Sequence, residues 1–210
     1  MIKFRVTSGS RSGPHAGHRV RVRRSSVVSP QQRIDAATFP HTPRIEATPD
    51  ELLQWRQRRT EVGERVRDLL DRGICYNCRE LSEGDVLGPQ HRIAEDDYVR
   101  VVLALDPRVP GHTIVVWKPH AHDFTELDDQ QTARLFTVCR DVARALRTAL
   151  TGVERVYQVT MCDGPVNHLH IQLIPRYAGT PIGSKRLIDP RGPVLDGEEL
   201  VKAIQTAYQS

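Results

Sequence analysis

The segment most informative about the fold is Asn167-His168-Leu169-His170-Ile171-Gln172-Leu173-Ile174-Pro175-Arg176. Its polar and apolar residues alternate, and successive side chains of a β-strand lie on opposite faces of a sheet. We therefore expect His168, His170 and Gln172 to share one face, with Leu169, Ile171 and Leu173 packed on the other. Two imidazoles and an amide in a row are typical of a reaction surface, because imidazole serves as a nucleophile, an acid–base group or a metal ligand. The alternative is a pair of surface histidines with satisfied hydrogen bonds.

The segments around this strand show the periodicity of an α+β domain. A helix is predicted to begin at Thr48-Pro49 and to end at Gly73, because a hydroxyl cap with proline begins helices and glycine ends them. Residues 74–78 are interpreted as a tight knuckle. Further strands are predicted over 98–105, 113–117 and 156–161, and further helices over 128–150 and 198–208. This order predicts an antiparallel sheet flanked by helices, with Cys139 on the core face of the helix over 128–150.

Composition limits the classes of function. The chain has 210 residues, of which 39% are hydrophobic and 27% charged, and no apolar run approaches the ~18 residues of a membrane span. Its net charge of +4 divides into +8 for residues 1–45 and −4 for the remainder. This division argues against a basic nucleic-acid-binding domain, and the lack of a secretory segment together with a Cys-x-x-Cys pair favours a cytoplasmic location without membrane binding.

Residues 1–45 form a basic tail rich in Arg, Ser, Gly and Pro. Such a composition, with nine Lys/Arg and one acid, predicts disorder. Three interpretations remain open for this tail. It is a flexible arm that contacts phosphates, a transit peptide, or a leader without function.

The segment from His168 to Tyr177 resembles the signature of the histidine-triad (HIT) superfamily, in which histidines and apolar residues alternate. Pro110–Val116 and Lys118-Pro119-His120 resemble the hairpin that precedes this signature in the family, and the resemblance covers residues 74–192. It implies an α+β HIT-like catalytic domain over 74–210, preceded by the tail over 1–45 and by a helical extension over 46–73. It also implies a homodimer.

The resemblance implies that His170 attacks the α-phosphate of a nucleotide and forms a covalent nucleotidyl-histidine. Gln172 occupies the third position of the signature, as in the galactose-1-phosphate uridylyltransferase branch and some dinucleoside-polyphosphate phosphorylases. Those enzymes pass the nucleotidyl group to a phosphate-bearing acceptor, and an amide can hold a phosphate but cannot act as a base.

A nucleotidyltransferase or phosphorylase is therefore the favoured function. Three alternatives remain. They are a hydrolase of phosphoramidates or dinucleoside polyphosphates, a non-catalytic nucleotide-binding module, and a nucleic-acid end-processing protein guided by the basic arm.

A structural zinc site is expected at Cys75, Cys78, His120 and His168. Two thiolates and two imidazoles form a closed tetrahedral set that zinc prefers, and the same positions hold zinc in zinc-bearing members of the resembled family. His122 is a rival to His120, and the alternative for the cysteines is a redox pair or free thiols. His112 is expected to order the hairpin through side-chain hydrogen bonds.

Several positive side chains are candidates for binding substrate phosphate. Lys118 and Arg176 flank the histidine strand, and Arg108 is a weaker candidate. The loop over 179–192 either closes over the substrate or is a solvated basic loop.

The family's phosphate-binding and ribose-binding positions differ in this chain. Pro165 stands where the family has a serine, which makes Asn167 and Gly164 the expected substitutes. The ribose-binding acid is replaced by Ala104, and Asp106 lies two residues later.

Overall fold

The computed structural model describes residues 40–161, 164–180 and 192–210. Its helices are α1 (Pro49–Asp71), α2 (Tyr76–Glu83), α3 (Asp129–Ala149) and α4 (Gly197–Gln209). Its strands are β1 (Arg92–Glu95), β2 (Val99–Leu103), β3 (Thr113–Trp117), β4 (Val153–Val159) and β5 (His170–Tyr177). The α+β class is confirmed. The predictions for residues 1–39 and for 181–191 of the expected loop lie outside the described residues.

The sheet has five strands in the order β1-β2-β3-β5-β4, and every neighbouring pair is antiparallel. The strands predicted over 98–105 and 113–117 are β2 and β3, which pair as an antiparallel hairpin. Strand β5 lies between β3 and β4, with His170 opposite Val116 and Gln172 opposite Ile114. The histidine strand is thus held on both sides by backbone ladders.

The core lies on one face of this sheet, beneath α3 and α4. Leu169, Ile171 and Leu173 belong to it, as their alternation predicted. Helix α3 contributes an apolar face that includes Cys139, and burial raises the pKa of the Cys139 thiol to about 12. The opposite face of the sheet presents Ile114, His170 and Gln172 to a cavity.

Gly111 closes the connection between β2 and β3 against the end of α3. Its φ is +74°, a left-handed conformation that costs a residue with a Cβ, and a Cβ there would lie 2.4 Å from Leu150 Cδ1. A glycine at this position therefore allows the hairpin to approach the core closely.

Helix α1 begins with a capping box between Thr48 and Glu51 and is followed by Gly73 at a φ of +70°. Hydrogen bonds donated by three of its long side chains join it to the rest of the described chain. The Trp55 indole donates to Asp106 at 2.8 Å, Arg58 donates to the Leu105 carbonyl at 2.8 Å and Arg65 donates to the Val86 carbonyl at 2.9 Å. Among the described residues, none of the helices combines the length and apolar character that a membrane crossing requires.

Residues 40–44 differ from the prediction of a tail that extends to residue 45. The His41 N–H donates to the Ala149 carbonyl at 2.7 Å, and the His41 carbonyl accepts from Thr151 at 2.9 Å. Arg44 pairs with Glu51 and Asp196. These partners are distant in sequence, so local composition gave no sign of them.

Two elements are absent from the sequence prediction. The knuckle at Cys75 is the first turn of α2, where the Cys75 sulfur caps the helix by accepting from the Cys78 N–H at 3.5 Å. Strand β1 has four residues, of which only Ile93 is buried. Both elements are too short to show a period.

Candidate functional site

Four predicted metal ligands meet where α2 approaches the start of β5. The candidate ligand atoms of Cys75, Cys78, His120 and His168 all lie within 4.8 Å of one another. The Cys75 sulfur is 3.3 Å from His168 Nδ1, and the Cys78 sulfur is 3.2 Å from His120 Nδ1 and 3.4 Å from His168 Nδ1. Zinc bonds of ~2.3 Å to sulfur and ~2.0 Å to nitrogen require about 3.6 Å between such atoms in a tetrahedron. The spacing therefore fits zinc closely.

Backbone contacts bring the two histidines of this cluster together. The Trp117 N–H donates to the Leu169 carbonyl at 3.1 Å, and the Leu169 N–H donates to the Ala121 carbonyl at 2.7 Å. These bonds continue the pairing of β3 and β5 beyond their ends. They therefore hold the segment after β3, which carries His120, beside the segment before β5, which carries His168.

His168 is held in the tautomer that a metal requires. Its Nε2 lies 2.6 Å from the Trp117 carbonyl, and a carbonyl only accepts, so Nε2 carries the proton and Nδ1 presents its lone pair. Burial lowers the pKa of His168, which also favours the neutral ring. The Nδ1 atom is the one that faces both cysteine sulfurs.

The sequence left two alternatives open for this cluster, His122 in place of His120 and a redox pair or free thiols at the cysteines. His122 lies outside the four-residue cluster, although its ring is 5.0 Å from that of His120. Cys75 and Cys78 are free thiols. Burial, followed by the hydrogen bond and charge of Cys75, raises the pKa of Cys78 to about 11 without a metal ion. A bound cation would reverse this effect, because a coordinating thiol loses its proton.

His170 is half-buried and lines a cavity of about 450 Å³ on the face of the sheet opposite the core. Its Nδ1 lies 2.9 Å from the His168 carbonyl, which accepts the Nδ1 proton. In a neutral imidazole the other nitrogen, Nε2, then carries a lone pair. The geometry leaves His170 outside the metal cluster and provides it with a nucleophilic nitrogen.

Arg108, His112 and Gln172 form a connected group beside His170. Arg108 Nη1 donates to Gln172 Oε1 at 2.5 Å, and the Arg108 backbone N–H donates to His112 Nδ1 at 3.3 Å. The predicted ordering of the hairpin by His112 is confirmed by the second bond. Burial, followed by the charge of Arg108, lowers the pKa of His112 to about 3, and this buried ring stays neutral.

The structure does not bring Lys118 and Arg176 to this cavity. Lys118 pairs with Glu95 at 3.1 Å and donates to the Asp96 carbonyl at 2.8 Å. Arg176 pairs with Glu154 at 3.0 Å. It follows His170 by six residues, which is about 20 Å along a strand. Neither cation lines the cavity that His170 lines.

Asn167 and Gly164 form a local turn at the entry to β5. The Gly164 N–H donates to Asn167 Oδ1 at 2.8 Å, so the asparagine side chain orders its own loop. Neither residue lines the cavity. Asp106 does line it, and its carboxylate also accepts from Trp55 and pairs with Arg59 at 3.4 Å.

The sequence analysis missed several polar residues of the cavity wall, among them Arg59, Asn77, Glu80 and Arg100. Asn77 and Glu80 are buried, with exposures of 9% and 6%. They lie in the short α2, and buried polar residues within a helix of eight residues leave no periodic signal. Arg100 interrupts the apolar run of β2, which was a signal that sequence reasoning could have used.

A family model described as the HIT domain matches residues 88–179. An uncharacterized HIT-like protein of Borreliella burgdorferi is 30% identical over 103 residues, which are 47% of this chain and 74% of that protein. The adenosine 5'-monophosphoramidase hnt1 of Schizosaccharomyces pombe is 29% identical over 107 residues, which are 49% of this chain and 74% of that protein.

A solved structure is similar in fold. A hypothetical histidine triad nucleotide-binding protein of Sulfolobus tokodaii superimposes with a TM-score of 0.51 and 23% identity, covering 64% of this chain and 92% of that chain. At this identity the likeness concerns the fold alone.

Proposed function

Since this chain belongs to the HIT family, we propose that it is an enzyme that transfers a nucleoside monophosphate through His170. The observation that carries this proposal is the state of His170, whose Nδ1 proton is accepted by the His168 carbonyl while the ring lines the cavity. A fixed tautomer with a lone pair on Nε2 is what a nucleophilic histidine requires.

The proposed reaction has two displacements at the α-phosphorus. In the first, the lone pair of His170 Nε2 forms a P–N bond while the P–O bond to the leaving group breaks and the leaving oxygen takes its electron pair. In the second, an acceptor oxygen forms a new P–O bond, the P–N bond breaks and Nε2 regains its lone pair. Covalent catalysis thereby replaces one difficult step by two easier ones.

A phosphate-bearing acceptor is favoured over water by the environment of Gln172. Its amide oxygen accepts from Arg108, and an amide cannot take or give a proton as an imidazole does. A phosphate leaving group or acceptor is already ionised and needs little proton transfer. The guanidinium of Arg108 also places a positive charge beside the group that transfers.

A structural zinc ion is proposed at Cys75, Cys78, His120 and His168, on the donor chemistry and spacing of this cluster. When bound there, zinc would supply no reacting group and would fix the start of β5 relative to α2. His170 lies two residues beyond His168, so its backbone would be held by the same ligand set.

Hydrolysis is the second candidate, and it is favoured by the similarity to the Schizosaccharomyces pombe adenosine 5'-monophosphoramidase. In this version His170 Nε2 attacks in the same way, but with a phosphoramidate the bond that breaks is P–N and the departing amine takes up a proton. Water replaces the phosphate-bearing acceptor in the second displacement. Water must lose a proton when it attacks, so this version needs a base that Gln172 does not provide.

The proposal is tested by intact-protein mass spectrometry after rapid quenching. Purified protein is mixed separately with a nucleotide sugar, a dinucleoside polyphosphate and a nucleoside phosphoramidate. We expect an adduct with the mass of a nucleoside monophosphate on the wild type and on His122→Ala, and none on His170→Ala. His122 provides the matched control because it is a nearby histidine outside the cluster.

The fate of the adduct distinguishes the two candidates. Faster loss on addition of phosphate or a sugar phosphate supports transfer, whereas loss at the same rate in buffer alone supports hydrolysis. Absence of both adduct and substrate consumption for the whole panel would contradict the proposed enzyme.

A further inference from the structure

Helix α2 places two buried polar side chains in the wall of the cavity that His170 lines. Asn77 and Glu80 are 9% and 6% exposed, and both line the cavity. Apolar residues would be the ordinary occupants of such positions, since burying a polar group without a partner costs free energy. The partners of these side chains therefore indicate what this part of the cavity binds.

The carboxylate of Glu80 is bound at one oxygen only. Its Oε2 accepts from the Val86 N–H at 3.0 Å and from the Leu87 N–H at 2.9 Å. Within the described ranges, the structure records no hydrogen bond to Oε1. Two backbone donors fix the rotation of the group, so Oε1 is a pre-oriented acceptor on a residue of the cavity wall. An acceptor of this kind is suited to an N–H donor on a ligand.

A cation lines the same cavity. Arg100 on β2 donates to Glu95 at 3.2 Å, and its side chain is only 11% exposed. Its Nε is buried without a hydrogen-bond partner in the part of the chain that the structure describes. The cavity therefore offers an acceptor at Glu80, a donor group at Arg100, and an amide at Asn77 that can serve in either role.

We infer that Glu80 makes the cavity selective for guanine among the nucleobases. Guanine presents adjacent donors, N1–H and the 2-amino group, next to the O6 acceptor, and this pattern complements a carboxylate beside an arginine or amide donor. Adenine presents the N1 lone pair at the corresponding place, and neither cytosine nor uracil has two adjacent donors. The inference rests on the proposed function, in which the cavity holds the nucleoside of the substrate.

Glu80→Gln tests this inference with a change of one atom. The side-chain oxygen is needed by the Val86 and Leu87 N–H groups, so the new amide nitrogen would occupy the place of Oε1. A donor would then face the donors of guanine. Glu83→Gln is the matched control, because it removes the same charge from an exposed position of the same helix, where Glu83 pairs with Arg79.

The measurement is calorimetric binding of GMP, IMP and AMP to the wild type and both variants. We expect the wild type to bind GMP about 10- to 100-fold more tightly than AMP, the range for hydrogen bonds to a charged group. IMP lacks the 2-amino group and should bind with intermediate affinity. Glu80→Gln should abolish the preference for GMP, and Glu83→Gln should retain it.

The outcomes separate the two proposals. Binding of all three nucleotides without a preference for GMP, or an unchanged preference in Glu80→Gln, overturns the assignment of Glu80 and leaves the proposed function standing. Failure to bind any of the three overturns the nucleotide site itself. If Glu80→Gln does not fold, the order of affinities on the wild type still tests the assignment, because GMP must bind more tightly than IMP.

Discussion

Single residues beside His170 decide which hydrogen bonds the reaction can use. An amide side chain has two orientations that differ in which end donates, and Arg108 selects one by donating to the oxygen of Gln172. The Gln172 NH₂ group is then the end that remains for other partners. Arg108 was expected from the sequence to bind substrate phosphate, and we now propose that it also positions Gln172.

Arg108→Lys should slow formation of the His170 adduct about 10- to 100-fold, because lysine keeps the charge but loses the planar fork that reaches Gln172. Rapid-quench mass spectrometry gives this rate, and thermal unfolding checks that the fold is retained. Arg147→Lys, at an exposed position in the last turn of α3, is the control and should leave the rate unchanged. Equal rates for wild type and Arg108→Lys would remove the positioning role.

The neutral His112 should make the protein less stable in acid. Its pKa is about 3 in the folded state and about 6.5 when unfolded, so only the unfolded state takes up this proton between those values. This proton therefore leaves the free energy of unfolding unchanged above about pH 6.5, and it lowers that free energy progressively as the pH falls from 6.5 towards 3. Between pH 7 and pH 5 the loss is about 2 kcal/mol.

Urea unfolding at several pH values measures this loss in wild type and in His112→Asn, which does not titrate. Other groups titrate in both proteins, so the difference between their pH profiles isolates His112. The profile of the variant should be flatter by about 2 kcal/mol over this interval. Parallel profiles would contradict the burial of a neutral ring.

The residues that meet at the metal cluster could be predicted from the sequence. The positions of Lys118 and Arg176 outside the cavity could not. The types and spacing of the cysteines and histidines are typical of a metal site. Lys118 and Arg176 carry only a charge, and their partners Glu95 and Glu154 lie on other strands. Such pairing depends on strand register, which the sequence alone does not fix.

At the scale of elements, the close approach of the β2–β3 hairpin to α3 depends on Gly111. Gly111→Ala should lower the free energy of unfolding by about 2–5 kcal/mol, because it combines left-handed strain with overpacking against Leu150. Gly152→Ala is the matched control. It has a φ of +83° but no contact closer than 3.7 Å, so it should cost only about 1–2 kcal/mol. Urea unfolding measures both, and equal losses would contradict the role of packing.

The cluster joins three elements, since its ligands come from the start of α2, the chain after β3 and the chain before β5. We expect protein purified without chelators to hold about one zinc ion per chain. His120→Ala should lose most of this zinc and melt at a lower temperature, whereas His122→Ala should retain it. Elemental analysis by mass spectrometry measures the content. Retention of zinc by His120→Ala would exclude this ligand set.

Long elements were predictable and short ones were not. The apolar face of α3 repeats over about six turns, and the ends of α1 carry clear capping residues. By contrast, α2 has eight residues and β1 has four, and their positions depend on partners distant in sequence. The cavity residues Asn77 and Glu80 were missed for this reason.

Along the chain, the residues proposed for base selectivity lie partly outside the segment proposed to carry the chemistry. The segment matched by the HIT model includes His170 and Gln172, whereas Arg59, Asn77 and Glu80 precede it. We therefore expect the proposed reaction to be combined here with base selectivity that depends in part on residues before the matched segment, although Arg100 lies within it. The homodimer implied by the resemblance stays a prediction.

Residues 40–44 should matter for stability although they fall within the predicted tail. Removing residues 1–45 deletes the bonds of His41 and Arg44 to the body, whereas removing residues 1–39 keeps them. The shorter deletion should retain the melting temperature. The longer one should lower it by about 2–4 °C for each kcal/mol lost. Differential scanning calorimetry compares the two, and identical melting temperatures would contradict the importance of these contacts.

The hydrogen bond between Trp55 and Asp106 gives the protein a fluorescent reporter of its own. The chain has two tryptophans, and the other, Trp117, is 1% exposed and stacked on Tyr98. Indole emission responds to nearby charge, and Trp55 donates to the Asp106 carboxylate while the Arg59 guanidinium lies over its ring. Arg59 and Asp106 both line the cavity, so a nucleotide bound there would change the surroundings of these charges. Emission from Trp55 would then follow occupancy in real time, without a label and before any covalent chemistry occurs.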